Sequence, residues 1–496
     1  MASNHLFDGL LDGREASPRC LLDVPGARQW SYADLVAQSG RYANLLQASG
    51  VSPGDRVAVQ VSKSAEAIAL YLATVRAGAV FLPLNTAYTR AEVEYFIVDA
   101  EPAVFVCASE RVADFEGVGA RLYSLDGDGG GSLARDAEAL DSGFDNVERG
   151  ARDLAAILYT SGTTGLSKGA MLSHDNLLSN ALTLVDYWRF SGDDVLLHAL
   201  PIFHTHGLFV ATNIILAVGG SMIFLPRFDV EQMLAQLPRA TSMMGVPTFY
   251  TRLLADPRFD AALVAHMRLF VSGSAPMLPE THHQFEQRTG QRILERYGMT
   301  ETNMNTSNPY DGERRIGSVG FPLPGVEVRI TDPQSGDELP GGETGMIEVR
   351  GPNVFLGYWR KEEKTAQELR ANGFFITGDL GKLDADGYVH IVGREKDLII
   401  SGGYNIYPKQ IETEIDALEG VLESAVFGVP DADFGEAVAA AVVPLADAEL
   451  DADAIVRGLE PALARFKLPR RIFLLDELPR NAMGKVQKNL LRERYG

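Results

Sequence analysis

A chain of 496 residues exceeds what one hydrophobic core supports, so at least two domains are expected, with a second near one end. Apolar residues make up 46% and charged residues 22%, an ordinary globular balance, while a formal net charge of −21 argues against nucleic acid or an anionic membrane as the main partner. Cys20 and Cys107 lie far apart without CxxC spacing or a histidine cluster, and the N-terminus lacks the basic start and apolar core of an export signal; neither a disulfide framework nor a zinc site is suggested, and a cytoplasmic compartment is expected.

In chain order, DRVAVQV (55–61) reads as a strand, SAEAIALYLATVRAG (64–78) as a helix and AVFLPLN (79–85) as a strand, the alternation of an α/β fold. Ile68, Leu72 and Val75 recur at helical spacing, so one face should pack on a sheet, and Gly78 stands where a helix would end. SLDGDGGGSLARD (124–136) lacks EF-hand spacing and a closing Glu and reads as a solvent loop. The most apolar stretch, 214–225, is broken by Gly219 and Gly220 and falls short of the ~20 residues that span a bilayer, so it reads as buried core.

The strongest local signal is LYTSGTTGLSKG (158–169), where an apolar strand runs into a loop of glycines, hydroxyl residues and one lysine. Glycines such as Gly162 let the backbone approach an anion, Ser161, Thr163, Thr164 and Ser167 can donate to phosphate oxygens, and Lys168 adds positive charge. Lys168 is followed by Gly169, so the segment is not a Walker loop.

Further motifs follow: YGMTE (297–301), TGDL (377–380), GREKD (393–397) and PRNAMGK (479–485). The texture changes at GREKDLIISGGYNIYPKQIETEI (393–415). We therefore expect an N-terminal domain over 1–393, a hinge at 394–397 and a C-terminal domain over 398–496, where strand patterns at 423–430 and 437–445 precede a helical stretch after Asp451.

These motifs, in this order, resemble the acyl-adenylate-forming superfamily, and the resemblance covers essentially the whole chain. It implies an α/β fold in which a large N-terminal domain of mixed sheets and helices carries a small mobile α+β C-terminal domain. It also implies ATP, Mg²⁺ and CoA as cofactor and co-substrates. Thr160, Ser161, Gly162, Thr163, Thr164 and Lys168 are then phosphate residues, with Thr300 beside them and Glu301 on Mg²⁺. Tyr297 is implied to stack on adenine in a pocket lined by Ser274, Ala275, Pro276 and Glu295, Asp379 to accept the ribose hydroxyls, and Arg394 to contact ribose or phosphate. Lys485 is implied to bridge the reacting carboxylate and the α-phosphate, and is a candidate for regulatory acylation. Lys396 is the implied hinge, and Gly402 and Gly403 face the pantetheine tunnel in the second half-reaction. Asn481 stands where the family commonly has Thr, and Lys396 where many CoA ligases have Asp.

The acyl pocket is expected from 198–209, 245–254 and the surroundings of YGMTE, with Arg252, Arg296, His204, His206, Ser272 and Met304 as candidate substrate residues. A fatty-acid tunnel would be apolar, whereas either arginine could pair with a second carboxylate of the acid. The alternative for each arginine is a structural ion pair, for instance with Glu295 or Glu301. NTAYT (85–89), HALPIFHTHGLF (198–209), LERYGMTETNMNTSNPYDG (294–312) and LPRNAMGKVQK (478–488) resemble malonyl-CoA synthetases. That implies ligation of malonate to CoA through a malonyl-adenylate, with methylmalonate slower where Met304 and Thr302 limit room. The alternatives are a CoA ligase for another short-chain or aryl acid, a carrier-protein-loading adenylation domain, and a non-catalytic ATP or acyl-CoA sensor.

Overall fold

The strand–helix–strand reading of 55–85 folds as a parallel pair. Arg56–Gln60 lies beside Val80–Pro83 with Val57 opposite Phe81, and the helix Ala65–Arg76 runs between them in sequence. Ser64 caps this helix by accepting from the Ala67 N–H, and Gly78 follows its end at φ +68°. The single buried face expected of this helix is corrected by the structure: Ala67 through Arg76 are all buried, because the helices His5–Leu11 and Tyr32–Ala48 pack against it as well as the sheet.

The computed structural model describes residues 3–160, 167–401, 404–431, 434–446, 448, 450–481 and 484–496, the side chains of 404 and 405 aside. Two large sheets form the N-terminal part. One has nine strands, of which Leu294–Met299, Leu269–Ser272, Ser242–Gly245, Val195–His198, Ser221–Phe224 and Cys20–Asp23 run parallel in that order. The other has seven, with Leu154–Thr160, Val80–Pro83, Arg56–Gln60, Val104–Cys107 and Arg121–Ser124 parallel, and Lys168–Ser173 and Gly357–Tyr358 antiparallel at one edge. In open parallel sheets ligands bind outside the carboxyl ends of the strands, and Thr160, His198, Ser272 and Met299 stand at four such ends.

The stretch 214–225 is buried, as a helix Asn213–Val218 and a strand Ser221–Phe224 joined through Gly219 and Gly220. No helix among the described residues is long and apolar enough to cross a membrane. In 124–136 only 125–131 is loop; Ser124 and Ser132 hydrogen-bond each other reciprocally at 2.8 and 2.9 Å, and the helix Ser132–Ala137 starts there.

A four-stranded antiparallel sheet ends with Val389–Arg394, a single 3₁₀ turn covers Glu395–Asp397, and the last sheet opens with Ile399–Ser401. That last sheet has two cores of its own. Along Val421–Asp431 and Gly435–Pro444 the side chains alternate, so Val426, Val438, Ala440 and Val442 enter one core and Ala425, Phe427, Val429 and Ala439 the other. Each large aliphatic residue buried this way contributes about 1.5–3 kcal/mol, and this two-sided burial lets the C-terminal part stand as a separate layer.

Candidate active site

The strand ends converge on a cavity of about 590 Å³. Thr160, Lys168, Thr300 and Glu301 line it together with His204, His206 and Arg296, and Arg394, Lys396 and Lys485 line it from the junction and the C-terminal part.

Thr160 opposes Lys168 across the antiparallel pair. Ser161, Gly162, Thr163 and Thr164 lie outside the described residues. Glu301 is buried, and that burial raises its pKa; its Oε1 accepts from Thr160 Oγ1 at 3.3 Å and lies 3.0 Å from the Tyr358 hydroxyl. Lys168 Nζ lies 3.3 Å from Glu368 and 4.1 Å above the Tyr358 ring.

At the junction, Asp379 forms an ion pair with Arg394 Nε at 2.5 Å and accepts from the Tyr297 hydroxyl at 2.6 Å. Tyr297 therefore spends its O–H on Asp379, and its ring is buried and absent from the cavity wall. Asp397, beside Lys396, pairs with Arg492 of the last helix at 2.7 Å. Lys485 sits on a tight loop in which Asn481 accepts from the N–H groups of Gly484 and Lys485, at 2.8 and 3.0 Å. Gly484 has φ +73°, and a Cβ there would approach Thr248 Oγ1 at 3.2 Å, so glycine suits this contact between the two parts. The Lys485 ammonium remains open to the cavity. The surrounding protein and the charges of Arg394 and Lys396 hold its pKa down to about 8, against Asp379 and Asp397. Gly402 and Gly403 lie outside the described residues.

The part of the wall with His204 and His206 is built around Arg296. In the strand Leu294–Met299 side chains alternate: Glu295 and Tyr297 turn to one side and Arg296 to the other. Glu295 pairs with His282 at 3.1 Å and receives the Met277 N–H, so neither Glu295 nor Glu301 serves as a counter-ion for Arg296. Arg296 is 3% exposed and makes no ion pair among the described residues. Its Nε and Nη2, the two donors on one edge of the guanidinium, have no hydrogen-bond partner there. Gly273 lies flat beneath it; a Cβ would fall 2.5 Å from Cζ. His206 begins a π-helical turn, His206–Thr212, a geometry frequent at functional sites. Its Nδ1 is 3.3 Å from Ser274 Oγ, and Ser274 is held at φ +71°. Burial keeps His206 and His204 neutral, His204 with a pKa of about 4, and their Nε2 atoms are also without partners among the described residues.

Met304 lines the cavity, while Thr302 is fully buried behind it. Ser272, Ala275, Pro276 and Glu295 do not line it. Arg252 does not line the cavity either. On the helix Pro247–Leu254, Phe249, Tyr250, Leu253 and Leu254 point inward, which turns Arg252 outward, where it is exposed with its guanidinium 6.0 Å from the Phe228 ring. Conversely, Tyr358, Lys364 and Glu368 line the cavity without having been singled out in the sequence. A glycine–aromatic pair followed by an acidic helix, GYWRKEEKTAQE, was the available signal.

Residues 14–359 match the family of AMP-binding enzymes, and 410–485 the AMP-binding enzyme C-terminal domain. ATP-bound MatB from Rhodopseudomonas palustris is 60% identical, with a TM-score of 0.97 over 100% of this chain and 99% of that one; apo MatB superposes at 0.87. A feruloyl-CoA synthase from an Amycolatopsis species is 36% identical over 97% of both chains. A malonate–CoA ligase from Arabidopsis thaliana is 33% identical over 99% of this chain and 90% of that one.

Proposed function

We propose that this chain, which belongs to the AMP-binding, acyl-adenylate-forming enzyme family and is an AMP-forming acid–thiol ligase using ATP and CoA, takes malonate as its acid. The observation that carries this reading is the buried Arg296 guanidinium at the cavity wall, two adjacent donors of which have no partner among the described residues. A buried cation without a counter-ion is costly. A carboxylate matches that edge with two parallel hydrogen bonds. With the far carboxylate of a three-carbon diacid on Arg296, the near one would lie in the same cavity as Thr300, Glu301 and Lys485.

In the first half-reaction a carboxylate oxygen of malonate attacks the α-phosphorus of ATP and pyrophosphate leaves. Lys485 neutralises the two anions as they meet and the charge that grows on the α-phosphate oxygens. In the second, the CoA thiol attacks the acyl carbon of the mixed anhydride, the acyl C–O bond breaks, and AMP departs with that oxygen. Glu301 would hold Mg²⁺: a buried carboxylate beside the hydroxyls of Thr160 and Thr300 is a hard-oxygen set, and the triphosphate would complete the ligand shell. Rotation about Lys396 would withdraw Lys485 between the steps. The higher TM-score to ATP-bound than to apo MatB supports reading the present arrangement as the adenylating one.

CoA-dependent AMP release should favour malonate, with methylmalonate slower beside Met304, over acetate, octanoate and 4-coumarate. A wide preference for octanoate or 4-coumarate would defeat the diacid reading. The Lys485 pKa adds a pH signature. Lys485 acts as the cation, so its active fraction falls as pH rises through about 8, and kcat/KM for ATP–pyrophosphate exchange should fall tenfold per pH unit above that point. Lys485→Arg should lose this alkaline limb.

A further inference from the structure

Glu368 presents one carboxylate to three groups of the cavity wall. Lys364, one turn earlier on the same helix, stands at 2.7 Å, Lys168 at 3.3 and 3.4 Å, and the Tyr358 hydroxyl at 2.5 Å. Lys168 also lies over the Tyr358 ring, so its ammonium is held both by the carboxylate and by the ring face. The Lys168 and Glu368 side chains are only 12% and 22% exposed, which strengthens the pairing relative to a surface ion pair. Lys168, Lys364, Tyr358 and Glu368 all border the same cavity as Glu301, whose carboxylate also accepts from the Tyr358 hydroxyl. Among the described residues Glu368 is the carboxylate that forms an ion pair with both lysines.

We propose that Lys364 is a second triphosphate-binding lysine beside Lys168, and that Glu368 is an internal competitor which holds both lysines in place and gives them up to the β- and γ-phosphates of ATP. A triphosphate carries several negative charges, so it outbids a single carboxylate for two ammonium groups and repels Glu368 from them. When pyrophosphate is formed and separates from the adenylate, Glu368 takes the lysines back, which favours its release. This assignment depends on ATP as substrate and is independent of which acid is used.

The test is equilibrium binding of ATP, and separately AMP, to the full chain by calorimetry without any acid present. Lys364→Met should weaken ATP about tenfold, the loss of one charge-assisted contact, and leave AMP within about twofold. Glu368→Gln, which keeps size and shape but removes the competing charge, should tighten ATP about fivefold and leave AMP unchanged. A merely supporting Glu368 would give the opposite sign, because its removal would loosen the lysines. Weaker or unchanged ATP binding in Glu368→Gln overturns the competitor role. Equal weakening of ATP and AMP in Lys364→Met overturns the phosphate contact. The two signs are read separately, so either variant decides its own half.

Discussion

Lys485→Ala is expected to separate the two half-reactions: ATP–pyrophosphate exchange with malonate falls about 10³-fold, while thioester formation from supplied malonyl-adenylate and CoA stays within a few-fold. The asymmetry follows from where charge develops. Bringing a carboxylate onto the α-phosphate of ATP joins two anions, and on the proposed reading Lys485, which lines the cavity from a loop tied by Asn481 and Arg480, would meet that junction. In the second step a thiol attacks an acyl carbon and AMP is the leaving group, so the cation is no longer needed at the same point. Single-turnover measurements of the two steps check this. Equal loss in both would mean that Lys485 supports the site rather than the adenylation step.

Arg296→Met is expected to lower kcat/KM for malonate by about 10²–10³-fold, the cost of leaving a buried carboxylate without its charged partner, while KM for ATP changes little. Relative use of monocarboxylic acids such as butyrate should rise, because the variant wall is apolar. The same substitution should raise the melting temperature, since it replaces a buried cation without a counter-ion by an apolar side chain of similar length. Lost malonate activity together with gained stability would be hard to explain by general damage to the fold. Arg252→Met is the matched control: that arginine is exposed, and malonate kcat/KM should stay within about twofold. If Arg252→Met instead abolished malonate use and Arg296→Met did not, the acid site would have been assigned to the wrong arginine.

The residues legible in the sequence are those whose chemistry is local. Lys168, Glu301 and Lys485 sit in short contiguous motifs, and all three reach one cavity. The α/β alternation of 55–85 was also plain, because strand and helix periods differ. Arg296 and Arg252 could not be ranked by residue type. Their own elements rank them: alternation in a strand turns Arg296 away from Glu295 and Tyr297, and the inward set Phe249, Tyr250, Leu253 and Leu254 turns Arg252 out. Tyr358 and Glu368 carry only a weak local signal, for a different reason. They lie about two hundred residues beyond Lys168, and only the pairing of Gly357–Tyr358 with Met171 and Ala170 brings them to it. The all-round burial of the helix Ala65–Arg76 likewise depends on helices that flank it from elsewhere in the chain.

The most direct test uses malonate labelled with ¹⁸O in its carboxylates, incubated with ATP and CoA. The attacking carboxylate oxygen becomes the bridge to the α-phosphorus and stays there when the thiol cleaves the acyl C–O bond. Mass spectrometry should therefore find one ¹⁸O in each AMP, none in pyrophosphate, and malonyl thioester in equal amount. Unlabelled AMP, label in an inorganic phosphate product, or no AMP from malonate under conditions where octanoate or 4-coumarate gives it would contradict a malonyl-adenylate as the intermediate.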